Sequence, residues 1–118
     1  MDTAILKRNA ELSRMGFDSY EAYLRSELWL GIRAKIFAAR PNCELCGAPA
    51  QCVHHQHYGR KTLTGKTLQN LKPLCHSCHR YIEFEENGRK TSFRIVRFRY
   101  RVLADKFRHP LARRNRAT

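Results

Sequence analysis

The sequence predicts an α+β chain in which two short strands and a helix are stapled by four cysteines, preceded by helices and followed by a basic extension. Three observations predict it. Two CxxC pairs, Cys43 with Cys46 and Cys75 with Cys78, stand 28 residues apart. Apolar residues before the first pair repeat at helical spacing, and two short runs between the pairs have the length and composition of strands. With 118 residues the chain forms one domain, divided here into a lead-in (1–42), a core (43–88) and an extension (89–118).

The elements follow in order. Asp2 can cap a helix over residues 2–15 that carries Ile5, Leu12 and Met15 and stops at Gly16. Asp18 and Glu21 have the spacing of a capping box for a short helix through Leu24. Ser26 can cap a third helix, in which Leu28, Trp29, Ile32 and Ile36 form an apolar stripe until Arg40-Pro41 ends it. At that spacing Trp29 reads as core rather than as a base-stacking residue.

In the core, residues 50–55 (AQCVHH) suit a strand and residues 59–65 (GRKTLTG) a basic loop. Residues 70–74 (NLKPL) suit a second strand interrupted by Pro73. Residues 75–86 suit a helix closed by Asn87-Gly88. Beyond it, Arg97, Arg99 and Arg101 alternate with Phe98, Tyr100 and Val102 in a strand-like way. The spacing of Val96, Tyr100, Leu103 and Phe107 favours a helix instead, capped by Thr91 or Ser92 and stopped by Pro110. The tail with Arg113, Arg114 and Arg116 is expected to be disordered or to fold on a polyanion.

The formal charge is +13, and most of it is local. Residues 89–118 hold eleven Lys or Arg against the single acid Asp105. Such a patch fits a polyanion, most often nucleic acid, because each neutralised phosphate releases condensed counterions. An anionic membrane surface is the alternative. The Met1 end shows no signal run and no stretch long enough to span a bilayer, so a soluble cytoplasmic protein is expected, with no membrane partner.

In a chain without a secretion signal, CxxC pairs read as metal ligands rather than disulfides. Each knuckle turns two thiolates toward one point, and two knuckles supply the closed tetrahedral shell of a structural zinc. Gly47 gives the first turn the backbone freedom it needs. Cys52, the odd cysteine, fits a small buried apolar residue.

Between the knuckles lies a second constellation. Neighbouring strand residues face opposite ways, so His54 and His55 cannot both ligate one metal in regular geometry. One can bind metal while the other faces a substrate. His79 follows Cys78 in the helix, and Glu83 lies one turn further on the same face. His57 and His76 read as a loop histidine and a helix-start residue, and His109 as exposed.

The order His54-His55, Asn70 fifteen residues on, His79 nine further and position 83 four further resembles the HNH endonucleases with a ββα-metal fold. The spacing is similar to that of colicin-type DNases. The knuckles, and residues 20–33 (YEAYLRSELWLGIR), resemble the zinc-bearing branch common in phages and bacteria. The resemblance covers roughly residues 18–88.

It implies a small ββα-metal core stapled by a four-cysteine zinc site and a nuclease acting on DNA. His54 and His79 would be ligands of a catalytic divalent metal (Mg, Mn or a transition metal). His55 would be the general base, and Asn70 would hold the loop and orient the His55 ring. Glu83 departs from the colicin-like pattern, where a histidine stands, yet a carboxylate is a competent ligand. Phosphodiester hydrolysis suits these residue types, since imidazole titrates near neutrality at about 6.5 and a cation offsets the growing charge. Arg60, Lys61, Arg80, Arg94, Arg97, Arg99 and Arg101 are the candidate nucleic-acid contacts. A zinc-stabilised nucleic-acid-binding module without catalysis is the alternative from another class, and a toxin domain would keep the chemistry in a different biology.

Overall fold

The computed structural model describes residues 2–108. The elements run α1 (Thr3–Arg14), α2 (Tyr20–Leu24), α3 (Glu27–Ala39), β1 (Cys52–His55), α4 (Arg60–Leu63), β2 (Leu71–Leu74), α5 (His76–Glu83) and α6 (Phe93–Arg108). The fold is α+β, with β1 and β2 paired antiparallel in a two-stranded sheet. His109, Pro110 and the arginines of the tail lie outside the described residues.

Local chemistry explains the helix boundaries. Asp2 Oδ1 accepts the Ala4 N–H at 3.0 Å to start α1, and Gly16 at φ 94° ends the turn that follows it. Ser26 caps α3 by accepting from Trp29. For α2 the capping oxygen comes from Ser19, which accepts the Ala22 N–H, and not from Asp18 as the box spacing suggested. The basic segment expected as a loop contains α4. Thr62 and Leu63 are buried there, and burying them winds the backbone into one turn between Gly59 and Gly65.

Pro73 pairs with Val53 inside β2 rather than interrupting it. In a two-stranded sheet each strand has an open edge, so a missing N–H there is tolerated. The same edge is used by the first knuckle, whose Glu44 N–H donates to the Pro73 carbonyl at 2.9 Å. The helix from Cys75 stops at Glu83, three residues earlier than expected. Phe84 turns extended and bridges to Lys90, so Asn87-Gly88 close that return and not the helix.

The basic C-terminal segment is a helix. Burying Val96 and Tyr100, with Leu103 and Phe107 partly buried, outweighs the local alternation, which leaves Phe98 and Val102 exposed. Two cores flank the hairpin. One gathers Cys43, Leu45, Leu74, Cys75, Cys78, Ile82, Val96 and Tyr100, and the other Leu12, Tyr23, Trp29, Ile32, Ile36, Leu63 and Leu71. Leu28, expected in the α3 stripe, is exposed. Among the described residues no helix is long and apolar enough to cross a membrane.

Candidate metal centres and their surroundings

The four knuckle cysteines come together as their spacing requires. One sulfur of each lies within 4.8 Å of the others, and Cys46 Sγ is 3.6 Å from Cys75 Sγ. A tetrahedral shell with metal–sulfur bonds of about 2.3 Å places neighbouring sulfurs at about 3.8 Å, so the cluster has the dimensions of a structural zinc site. The Cys46 and Cys78 N–H groups point at the first sulfur of their own knuckles, each at 3.5 Å. Gly47, at φ 85°, lets the first knuckle fold back. Burial, and then the neighbouring thiols, push Cys78 up. A cation in the cluster would reverse that preference. Cys52 is only partly buried, and its Sγ lies 3.3 Å from the Leu74 carbonyl.

α5 carries the second cluster. Cys75 is its N-cap and Cys78 its third residue; His79 follows, and Glu83 comes one turn later. From β1, His54 reaches across so that its Nδ1–H donates to Glu83 Oε1 at 3.0 Å, with His79 Nε2 3.8 Å from the same oxygen. Nitrogen and oxygen donors of His54, His79 and Glu83 lie within 4.8 Å of one another. Two imidazoles and a carboxylate suit a divalent ion and lean toward the first-row transition metals. Burial, the largest influence, would raise the Glu83 carboxyl, but its hydrogen bonds with His54 and Lys90 outweigh it and hold it at about 2. The carboxylate is therefore ionised, with Oε1 facing the two histidines and Oε2 engaged by Lys90. Burial pushes His79 down, toward the neutral form a ligand needs.

His55 faces the other way, as strand alternation dictates, into an aromatic enclosure. Its ring stacks on Trp29 (4.6 Å between centroids, 29°) and on Tyr58 (5.4 Å, 19°), with Tyr20 and Tyr23 around it. Only 2% of the residue is exposed. Nδ1 meets the Tyr20 hydroxyl at 3.2 Å, whereas Nε2 is buried without a partner. Burial, then the charges of His54 and Arg8, lower the ring to about 3, so it stands neutral. A neutral ring keeps one nitrogen as a lone pair.

Tyr20 orients His55; Asn70 instead gives its backbone carbonyl to Gln56 at the end of the hairpin. The sequence offered no signal for the Tyr20 contact, which joins positions 35 residues apart. His57 is exposed and accepts the Gly59 N–H on Nδ1. His76 starts α5, its N–H donating to Gln51.

The candidate basic contacts divide. Arg99 is occupied, donating to the Tyr81 and Phe84 carbonyls at the end of α5 and to Glu85. Its guanidinium is thus engaged at the end of that helix. Arg60 pairs with Glu11 at 3.2 Å across to α1. Arg94, Arg97 and Arg101 lie exposed on α6 around Phe98, which is 64% exposed, and Lys61 and Arg80 are also exposed. His54, His55, His79 and Glu83 line one cleft of about 310 Å³ together with Arg8 and Lys90.

Over 43 residues, 32% of this chain and 4% of the relative, the sequence is 46% identical to the mitochondrial DNA mismatch repair protein mutS homolog of Sarcophyton glaucum. The chain thus spans a small fraction of that relative's length. No family model matches, and no solved structure matches.

Proposed function

We propose that this chain is a metal-dependent endonuclease of the HNH type, with a ββα-metal core, that hydrolyses DNA phosphodiester bonds. The observation that carries the reading is the convergence of His54, His79 and Glu83, with donor atoms within 4.8 Å, on a helix whose first turn is anchored by the cysteine cluster. Those three side chains would hold the catalytic ion, and the four cysteines a zinc that keeps α5 in register with β1. When bound, the divalent ion supplies positive charge where it grows on the non-bridging and leaving oxygens.

His55 is the candidate general base, but its Nε2 is buried and burial lowers the ring to about 3. This role therefore requires the enclosure of Trp29, Tyr20 and Tyr58 to open and admit water, which would also return the ring toward its ordinary value of about 6.5. Tyr20 fixes the ring, and Lys90 adds a second cation beside Glu83. The exposed Arg94, Arg97 and Arg101 of α6 fit the phosphate backbone. The short likeness to a DNA mismatch repair protein supports a DNA partner.

A second reading, a zinc-stabilised nucleic-acid-binding module without catalysis, is favoured by one observation. A ring enclosed between Trp29 and Tyr58 serves equally as a core residue. Supercoiled plasmid incubated across a series of Mg, Mn, Ni, Co and Zn separates the two. The nuclease reading predicts relaxed or linear product with wild type and none with His55→Ala, whose zinc content and fold survive. Cleavage persisting in His55→Ala removes the assigned base. Salt-sensitive binding without turnover under every metal favours the module.

A further inference from the structure

We infer that Arg8 of α1 is a phosphate-contacting residue of the cleft that holds His54, His55, His79 and Glu83. This rests on reading that cleft as a phosphodiester site. Arg8 lines it although it lies 46 residues before His54 in the sequence. Its guanidinium lies 4.0 Å from the centroid of the Tyr20 ring and 5.5 Å from that of Tyr58, the two aromatics that enclose His55.

Among the described residues Arg8 has no carboxylate partner. The acids nearby are already engaged, Glu11 by Arg14 and Arg60, and Glu83 by His54, His79 and Lys90. Two partly buried arginines without a carboxylate partner line the cleft, Arg8 and Arg33. Arg33 stacks on Phe37 and donates to the Gln51 carbonyl, whereas Arg8 lies over the rings that enclose His55. Asn9 accepts from its Nε and Nη2, and Tyr58 engages it as well. The five-donor fork still has N–H groups left for an anion.

Its position is also secured at both ends of α1. Asp2 caps α1 with one carboxylate oxygen and, with the other, accepts the Phe93 N–H of α6 at 2.6 Å. Arg60 ties the far end of α1 through Glu11. A stacked, pre-oriented guanidinium beside a ligand cluster is the arrangement that grips a phosphate in two-point geometry.

The test is the salt dependence of binding to a short labelled DNA duplex, with zinc-loaded protein and no other metal added. Arg8→Gln is expected to weaken binding by roughly tenfold and to lower the slope of log K against log salt by about 0.9, the value of one phosphate contact. Arg8→Lys should retain most of the slope. An unchanged slope in Arg8→Gln overturns the inference, and a lowered melting temperature with that unchanged slope assigns Arg8 to packing alone. If Arg8→Gln does not fold, Arg8→Met, which keeps an unbranched stem over the rings, takes its place, and an unchanged slope in that variant overturns the inference too. The slope change without plasmid cleavage by wild type supports Arg8 while the nuclease reading fails; cleavage without the slope change does the reverse.

Discussion

The two faces of the hairpin are stabilised by different physics. On one face His54 and Leu74 look toward the thiol cluster, α5 and α6. On the other, His55 and Leu71 look toward α2, α3 and their aromatic rings. The aromatic face is an ordinary core, in which Tyr23 is fully buried and its hydroxyl donates to the Leu63 carbonyl at 2.8 Å. The thiol face gathers four cysteines, two histidines and a glutamate in little space, which apolar burial alone does not stabilise. One face holds without help and the other asks for metal. Two adjacent residues of one strand therefore live in unlike environments, and that is how a small chain can keep a candidate ligand and a candidate base side by side.

The largest effect should come from breaking the thiol face. Cys46→Ser, or chelation, removes zinc whose binding is worth on the order of 10 kcal/mol in small metal domains. The expected outcome is loss of α5 and α6 helicity in circular dichroism. An unchanged melt after complete chelation would contradict the comparison. Next is Trp29→Ala on the aromatic face, expected to cost about 3 to 5 kcal/mol in denaturant unfolding while stoichiometric zinc is retained. Zinc lost together with Trp29 would mean that the two faces are not separate.

A smaller effect separates the faces by pH. His55 has a folded pKa of about 3, below its unfolded value of about 6.5, so the unfolded chain binds the proton first. Its contribution is at full strength above about pH 6.5 and is lost as pH falls toward 3, by about 1.4 kcal/mol per unit. Glu83, depressed from 4.5 to about 2, adds its own loss only below about 4.5. Unfolding measured between pH 6.5 and 4.5 should thus slope in wild type and slope less in His55→Phe, the remainder coming from His79, which burial also lowers. Equal slopes would place the acid sensitivity elsewhere.

The smallest expected change is Asp2→Ala, about 1 to 2 kcal/mol from loss of a carboxylate that caps two helices. The same substitution should speed amide exchange at Phe93 as well as at Ala4. Exchange altered at Ala4 alone would leave α6 without its Asp2 cap.

Much of this was legible where the signal is local. Asp2 and Ser26 as caps, Gly16 as a stop, and the convergence of Cys43, Cys46, Cys75 and Cys78 follow from spacing alone. Opposite faces for His54 and His55 follow from the pleat. His79 and Glu83 share a face because they lie one helical turn apart.

What was not legible depends on partners far away in the chain. Ser19 starts α2 one residue later than Asp18 would, accepting the Ala22 N–H, and Asp2 meets Phe93 across 91 residues. Arg99 reads as a free cation until the carbonyls at the end of α5 are brought to it. Enclosure of His55 by Trp29, Tyr20 and Tyr58, and the placement of Arg8 over that wall, arise only when the lead-in packs on the hairpin.

The central proposal is that one helix, α5, joins two candidate metal centres of different chemistry. Cobalt titration of the metal-free protein tests it most directly. The account predicts two equivalents per chain, the tighter with thiolate-to-cobalt absorption, and a weaker one without it that His79→Ala removes while leaving the first intact. A single thiolate-bound equivalent, unchanged by His79→Ala, would contradict it.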